Sequence, residues 1–182
     1  MREIEIKLKV KNMGLLEDKL QEKGCVLSES IYQHDVVYSF KNANEEFESS
    51  KEGDLIFRIR YLKDKAELNL KKQKSNEMDN LEYETVVENP EMMHQILSTL
   101  GYKPIIEVKK MRRKGKLGEY EICLDEVEKL GTFVELEKLT NDDDSPEKVR
   151  EELFGILKSF GLSREDEETK GYDTQIYLLG KK

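Results

Sequence analysis

The sequence lacks several features that would place it in common functional classes. Only two cysteines occur, Cys25 and Cys123, and neither belongs to a CxxC pair or to a Cys/His metal spacing. Basic residues number 31 against 39 acidic ones, a net charge of −8, which argues against a nucleic-acid or anionic membrane partner. No glycine-rich loop of the Walker type is present, so the sequence is not that of a P-loop enzyme.

Long apolar runs and domain linkers are also missing. Residues 1–9 alternate charged and apolar side chains without the apolar segment of a secretory signal, and no stretch approaches the length of a membrane span. With so little cysteine, a reduced cytoplasmic setting is the simplest expectation. The 182 residues fit one domain covering 1–182.

Charge is what the sequence has in excess. Charged residues make up 38% of the chain and apolar residues only 37%. One interpretation is a heavily solvated surface with Glu/Lys networks, as in heat-adapted proteins. The other is that part of the charge lines a functional cavity, where a metal ion or a local basic cluster can admit an anionic ligand despite the acidic total. Composition alone leaves both open.

Hydrophobic periodicity predicts an α+β protein with eight strands and three main helices. The strands are expected at residues 2–10, 32–40, 55–62, 66–73, 80–87, 105–113, 119–125 and 132–138. Helices are expected at 13–23, 91–100 and 147–160, each closed by a glycine. Residues 42–53, 75–79 and 141–144 are interpreted as loops, and the tail 171–182 as a last helical turn against the sheet.

The polar face of these strands is unusually rich in charge. Residues 2–10 place Ile4 and Ile6 on one face and Glu3, Glu5 and Lys7 on the other. Apolar faces offer a packing surface to helices, so the charged faces must point away from them. In an open sheet they would face water, with surface ion pairs each worth at most about 1 kcal/mol. In a closed eight-stranded antiparallel β-barrel they would face one another across a lumen, and the absence of an obvious protected edge strand favours closure.

The signs of these charges indicate what such a lumen could bind. Like-charged neighbours at alternate positions, such as Glu3/Glu5 and Glu135/Glu137, make sense as oxygen ligands of a hard divalent cation. Arg58 and Arg60 suit phosphate, which pairs with guanidinium groups bidentately.

Ordered motifs along the chain resemble the CYTH superfamily, the triphosphate tunnel metalloenzymes. The first is ExExK at residues 3–7, which is weak evidence alone in a Glu/Lys-rich chain. The motifs that follow resemble the class IV adenylyl cyclase branch and cover nearly the whole chain in order: QHDVVY at 33–38, FRIR at 57–60, LNLK at 68–71, EYE at 82–84, VKKMR at 108–112, LDEV at 124–127, LGTFVELE at 130–137 and Gly171-Tyr172.

Three departures from the family pattern leave the substrate open. Asn80 stands where an arginine often precedes the ExE pair, and Asn69 replaces a usual threonine. The aromatic residue often found a few positions after the VxKxR arginine is missing, since Arg113, Lys114 and Gly115 follow.

The resemblance implies a closed triphosphate tunnel with helices packed outside and a role for each charged group. It implies Mg²⁺ or Mn²⁺ on four carboxylates, with Asp125 assisting, and catalytic roles for Lys71 and Asp125. The metal ligands would be Glu3, Glu5, Glu135 and Glu137, and the triphosphate would contact Lys7, Arg58, Arg60, Lys71, Lys110 and Arg112.

The implied activity is conversion of ATP to cyclic AMP and pyrophosphate. The alternatives are a tripolyphosphatase or a thiamine or nucleoside triphosphatase, and a non-catalytic sensor that binds a triphosphate without turnover. A homodimer is plausible from related barrels. For Asp35 and Tyr38, shaping of the tunnel mouth and plain packing are equally compatible with the sequence, and both cysteines are interpreted as packing thiols.

Overall fold

Eight antiparallel strands close into a barrel in the computed structural model of the protein, which describes residues 2–48 and 51–181. The order around the barrel is β1-β5-β4-β3-β2-β6-β7-β8. The predicted α+β class and the closure of the barrel are therefore confirmed. The strands are β1 (Arg2–Lys9), β2 (Ile31–Ser39), β3 (Leu55–Tyr61), β4 (Ala66–Asn76), β5 (Asp79–Val87), β6 (Lys103–Leu117), β7 (Tyr120–Val127) and β8 (Gly131–Thr140).

Among the described residues, five helices interrupt or follow the strands. They are α1 (Met13–Glu22), α2 (Ala43–Glu48), α3 (Pro90–Thr99), α4 (Pro146–Ser159) and α5 (Tyr172–Gly180), with a single 3₁₀ turn at Arg164–Asp166. Side chains of Asn12, Asn89 and Ser145 accept hydrogen bonds from the first turns of α1, α3 and α4. Gly24, Gly101 and Gly161 follow these helices with positive φ, which is why glycine ends each of them.

Two of the predicted loops were wrong. Residues 43–48 form α2, because Phe47 is buried and gives this short polar segment an apolar anchor. Residues 75–79 mostly belong to the β4–β5 hairpin, in which β4 extends to Asn76 and β5 begins at Asp79. Residues 49–50 of the predicted loop, and residue 182 of the predicted tail, lie outside the described residues.

The main apolar core lies outside the barrel, between its wall and two helices. Ile4 and Ile6 of β1 and Leu136 of β8 are fully buried against Leu20 of α1 and Leu153 of α4. A second cluster places Leu97 of α3 against Tyr38 and Ile59 on β2 and β3. These helices occupy the outward faces of the strands, so the alternate, charged positions point into the lumen.

The remaining two helices do not simply cover the outer wall. The helices α2 and α5 contact each other, and Glu46, Phe47, Tyr172 and Thr174 from them line the interior cavity. The helices lie outside the strand ring as expected, and these two also contribute side chains to the cavity.

The junction between β1 and β5 is the shortest in the barrel. Residues 2–4 pair with residues 79–81, whereas all of β1 pairs with β8. Arg2 reinforces this junction: its Nε and Nη2 donate to the Asp79 carboxylate at 2.9 and 3.1 Å. Its Nη1 donates to three backbone carbonyl oxygens between residues 141 and 144. The barrel is thus closed by one buried arginine as well as by the backbone ladder.

Across residues 2–48 and 51–181, no helix has the combination of length and apolar character needed to cross a membrane.

Candidate functional site

A cavity of about 190 Å³ occupies the lumen and is lined by side chains from all eight strands. This volume is several times the roughly 30 Å³ that a water molecule takes up in the liquid, so the lumen has room for a small polyanion. Ten predicted site residues line it: Glu3, Glu5, Lys7, Arg58, Arg60, Lys71, Lys110, Arg112, Glu135 and Glu137. The eleventh, Asp125, is fully buried behind Arg112.

Three of the four predicted metal ligands lie together. One carboxylate oxygen each from Glu3, Glu5 and Glu137 falls within a group whose members are all within 4.8 Å of one another. Burial and the nearby Glu82 raise the pKa of Glu3 to about 7. Burial also raises the pKa of Glu137, and the carboxylates of Glu3 and Glu5 raise it further. These acids repel one another in a buried place, and oxygen donors suit Mg²⁺ or Mn²⁺, so this cluster fits a divalent cation.

Glu135 has a different neighbour. Its carboxylate accepts a hydrogen bond from Nη2 of Arg112. Burial alone would raise its pKa, but the charges of Arg112 and Lys110 outweigh that and hold it well below the usual value. Glu135 is therefore charged and paired with a cation, and it stands outside the group formed by the other three carboxylates.

Asp125 is also held by cations. Its carboxylate accepts two hydrogen bonds from Arg112, one of them from Nε at 2.7 Å. The hydroxyl of Tyr172 donates to the same carboxylate at 2.9 Å, and Nζ of Lys110 lies 3.8 Å away. In this arrangement Asp125 orients Arg112 and Lys110.

Asp35 organises the other arginine pair. Nε and Nη2 of Arg60 donate to its carboxylate at 2.8 and 3.0 Å, and Nη1 of Arg58 lies 3.4 Å from it. Burial would raise the pKa of Asp35, but the two guanidinium groups lower it strongly. Asp35 therefore does more than shape the mouth of the tunnel or fill space: it holds Arg58 and Arg60 in position. The cross-strand register, Arg60 opposite Asp35, creates this contact, and motif reading could not supply it.

Lys71 is paired with Glu82 on the adjacent strand at 2.5 Å. Burial favours its neutral form, but Glu82 and Glu5 raise its pKa above the usual value. Lys71 consequently keeps its positive charge in the lumen.

Lys7 and Lys110 converge on an aromatic ring from α5. Their Nζ atoms lie 4.3 and 5.0 Å from the ring centre of Tyr172, within the range of cation–π attraction. Burial and the neighbouring Arg112 lower the pKa of Lys110 to about 8. The sequence pointed to Tyr172 only through its place in the resemblance, and its contact with both lysines depends on how α5 folds back.

Cys123, for which only a packing role was expected, lies next to the lumen carboxylates. It is buried, and its Sγ lies 3.6 Å from Oε1 of Glu137. Glu121, Cys123 and Glu137 form a second group of donor atoms within 4.8 Å, which shares Glu137 with the first. Strand alternation between Glu121 and Asp125 was the signal that could have placed Cys123 inside.

Comparisons with known proteins agree with this geometry. The CYTH domain family matches residues 1–172. A protein from Methanocaldococcus jannaschii, provisionally named an adenylate cyclase, is 31% identical over 174 residues, covering 94% of this chain and 97% of that protein. Adenylate cyclase CyaB from Aeromonas hydrophila is 32% identical over 79 residues, or 43% of this chain and 41% of that one. A solved structure from Pyrococcus horikoshii has a TM-score of 0.78 at 27% identity and covers 99% of both chains.

Proposed function

The chain belongs to the CYTH domain family, and on that premise we propose that it is a metal-dependent enzyme that acts on a triphosphate within its barrel. The observation that carries the proposal is the convergence of seven basic side chains, six of them predicted site residues, and a cluster of three repelling carboxylates on one cavity. Such a lumen is stable when bound ions and ligands compensate its charges.

The metal would be held by Glu3, Glu5 and Glu137, whose oxygens fit it as described above. A bound Mg²⁺ or Mn²⁺ neutralises phosphate oxygens and helps to align an in-line attack. Glu135, which is the fourth predicted ligand, is within the same lumen and would be free to join them if a phosphate replaced it at Arg112.

The basic residues would position the triphosphate. The guanidinium groups of Arg58, Arg60 and Arg112 supply planar paired donors, and Lys7, Lys71 and Lys110 supply point charges. Because Asp35 and Asp125 fix the arginines before the ligand arrives, the lumen is preorganised for the charge that develops on the phosphoryl oxygens.

The reaction we favour is that of a class IV adenylyl cyclase. The ribose 3′-oxygen of ATP would attack the α-phosphorus, the bond to the bridging oxygen would break, and pyrophosphate would leave. The hydroxyl proton needs an acceptor, and this would be the neutral form of Lys110, which its lowered pKa of about 8 makes accessible, whereas Lys71 keeps its charge because its pKa is raised. The names of the M. jannaschii and A. hydrophila relatives support this choice.

A triphosphatase is the second candidate. The same lumen would hold a water molecule in line with the terminal phosphorus, and orthophosphate would leave. Catalysis by positioning and electrostatics serves either attack, so the charged lumen supports both reactions.

One assay separates these functions. Purified protein with Mg²⁺ or Mn²⁺ is given ATP, thiamine triphosphate and tripolyphosphate in turn, and the products are identified. Cyclic AMP with pyrophosphate supports the cyclase, and orthophosphate supports the triphosphatase. Binding without any product would identify a triphosphate sensor, and the absence of both binding and product would reject the proposal.

We further propose a cytoplasmic location and a homodimer, as expected from the sequence. Sedimentation velocity over a range of protein concentrations tests the dimer.

A further inference from the structure

A second group of donor atoms lies beside the acidic cluster of Glu3, Glu5 and Glu137. Sγ of Cys123 lies 3.6 Å from Oε1 of Glu137 and 3.8 Å from Oε1 of Glu121. These three side chains offer donor atoms within 4.8 Å of one another, as the acidic cluster does. The thiol makes the two groups chemically different, because sulfur prefers softer cations than the oxygen ligands of Mg²⁺ do. Two places for a cation therefore adjoin the lumen, and they share Glu137.

Lys114 already supplies a positive charge to the second group. It stands opposite Cys123 in the register of β6 and β7, so the two side chains are on the same face of the sheet. Its Nζ donates to Oε1 of Glu121, the same oxygen that faces the thiol. The side chain of Lys114 also lines the cavity, although the sequence gave it no role there. A metal ion held by Glu121 would therefore lie against this ammonium group.

The acidic cluster has no such counter-ion. Among residues 2–48 and 51–181, no ion pair involves the carboxylate of Glu3, Glu5 or Glu137. Neighbouring cations of the lumen are paired with other carboxylates, as Lys71 is with Glu82. The repulsion between an ammonium group and a divalent ion is twice that between two single charges at the same distance. A divalent ion therefore favours the acidic cluster over the second group.

We propose that Lys114 is a fixed cation that closes the second group to metal and so confines the divalent ion to Glu3, Glu5 and Glu137. Its ammonium group takes the place of a second ion without touching the ion that binds, which makes Lys114 a positioning residue. The inference rests on the proposed function, because the acidic cluster must be the metal site. It predicts that removing the charge of Lys114 opens a site that contains the sulfur of Cys123.

Titration with Cd²⁺ tests this role, because cadmium bonded to sulfur absorbs ultraviolet light that cadmium on carboxylates does not. When the ion binds Cys123, a Cd–S bond forms and the thiol proton leaves to the solvent. Lys114→Met should develop this absorption at a Cd²⁺ concentration at least about tenfold below that needed by the wild type, through loss of one adjacent positive charge. The side chain of Lys114 is 45% exposed, so methionine has room there.

Three further variants assign the absorption. Lys114→Arg keeps the charge and should behave as the wild type does. Cys123→Ser, added to Lys114→Met, should abolish the absorption, which attributes it to Cys123 and not to Cys25. Lys109→Met is the matched control and should match the wild type. Lys109 is another half-exposed lysine of β6, its Nζ lies 3.6 Å from the carboxylate of Glu107, and it lies outside the cavity.

Each contrary result has a distinct meaning. The same Cd²⁺ dependence in Lys114→Met and in the wild type would overturn the role of Lys114 and leave the triphosphate function standing. Absorption that survives the added Cys123→Ser would do the same. A wild type that binds neither Mn²⁺ nor tripolyphosphate would overturn the proposed function itself.

Mn²⁺ binding by two proteins that both keep Lys114 gives a test that does not depend on how Lys114→Met folds. The wild type and Cys123→Ser should bind Mn²⁺ with the same affinity in calorimetry, because the thiol never reaches the ion. Weaker binding by Cys123→Ser would place the ion in the second group and overturn the proposal.

Discussion

At the scale of single residues, the charged side chains of the lumen lie in oppositely charged pairs that fix their positions. Arg58 and Arg60 share Asp35, and Arg112 is shared by Asp125 and Glu135. Breaking a buried pair by removing one member costs more than the pair contributes, because it leaves an uncompensated charge.

Asp35→Asn should therefore destabilise the protein by about 3–5 kcal/mol. Tripolyphosphate can replace the lost negative charge, so it should restore more stability to the variant than to the wild type. Urea unfolding with and without tripolyphosphate measures both effects. Glu107→Gln, at an exposed carboxylate beside His34, is the control and should change little. Equal stabilisation of variant and wild type would contradict this account of Asp35.

Glu137 belongs to two groups of donor atoms, either of which could hold the metal. Substitutions in each group should affect metal activation differently. If Glu3, Glu5 and Glu137 hold the metal, Glu5→Gln should raise the Mn²⁺ concentration for half-maximal activity by at least about tenfold, since a charged ligand is lost. Cys123→Ser should leave it nearly unchanged. The reverse order in a metal titration would instead place the cation at Glu121, Cys123 and Glu137.

Lys110 should make triphosphate binding depend on pH. Its pKa is lowered to about 8 by burial and by Arg112, so its ammonium group loses a proton as the pH rises through that value. Tripolyphosphate affinity should fall about three- to tenfold between pH 7 and pH 9, through loss of one charge-assisted contact. Calorimetry at both pH values measures the change. In Lys110→Arg the charge persists, and a decline of the same size there would show that another group is responsible.

At the scale of structural elements, the β1–β5 junction helps to set the position of the acidic cluster. It holds the first strand, with Glu3 and Glu5, against the rest of the barrel through a short ladder. Arg2, which is 6% exposed, adds five hydrogen bonds there. The position of the acidic cluster therefore depends on a residue that never reaches the cavity.

Arg2→Gln should lower the free energy of unfolding by about 3–5 kcal/mol, because Asp79 is left buried without its partner. Chemical denaturation measures the change. Arg164→Gln breaks a similar two-bonded pair with Glu151 on the surface, and should cost no more than about 1 kcal/mol. Similar losses in the two variants would mean that the junction is held by its backbone ladder alone.

At the scale of the whole molecule, the barrel wall has one apolar face and one charged face, and the charged face is closed upon itself. Folding this lumen concentrates like charges that water would otherwise separate, as the raised pKa values of Glu5 and Glu137 record. Ligands that bind only the folded form should then stabilise the whole domain.

Tripolyphosphate at 100 times its Kd should add about 2.7 kcal/mol to the stability of the fold. For a domain of this size, that corresponds to roughly 5–11 °C in Tm. Differential scanning calorimetry at constant ionic strength measures it, with orthophosphate at the same concentration as the control. An equal rise with orthophosphate would indicate a general salt effect in place of a triphosphate site.

Much of the fold and of the site could be predicted from local patterns. Alternation within each strand separated lumen residues such as Glu5 and Arg58 from wall residues such as Ile6 and Ile59, because side chains on a strand point to opposite faces in turn. Glycines after amphipathic segments marked the helix ends, since only glycine easily adopts the backbone conformation needed there. The loop at residues 42–53 was misjudged because one buried aromatic residue is too weak a periodic signal.

By itself, the sequence determined which side chains enter the lumen and how many strands build it, since both follow from a period of two residues along the chain. The tertiary structure decided which charges meet: Arg60 with Asp35, Arg112 with Asp125 and Glu135, and Lys7 with Tyr172. It also brought Glu46 of α2 and Thr174 of α5 to the wall of the cavity. These contacts depend on strand register and on how the helices dock. Both bring together residues far apart in the chain, and both are set by packing of the whole barrel.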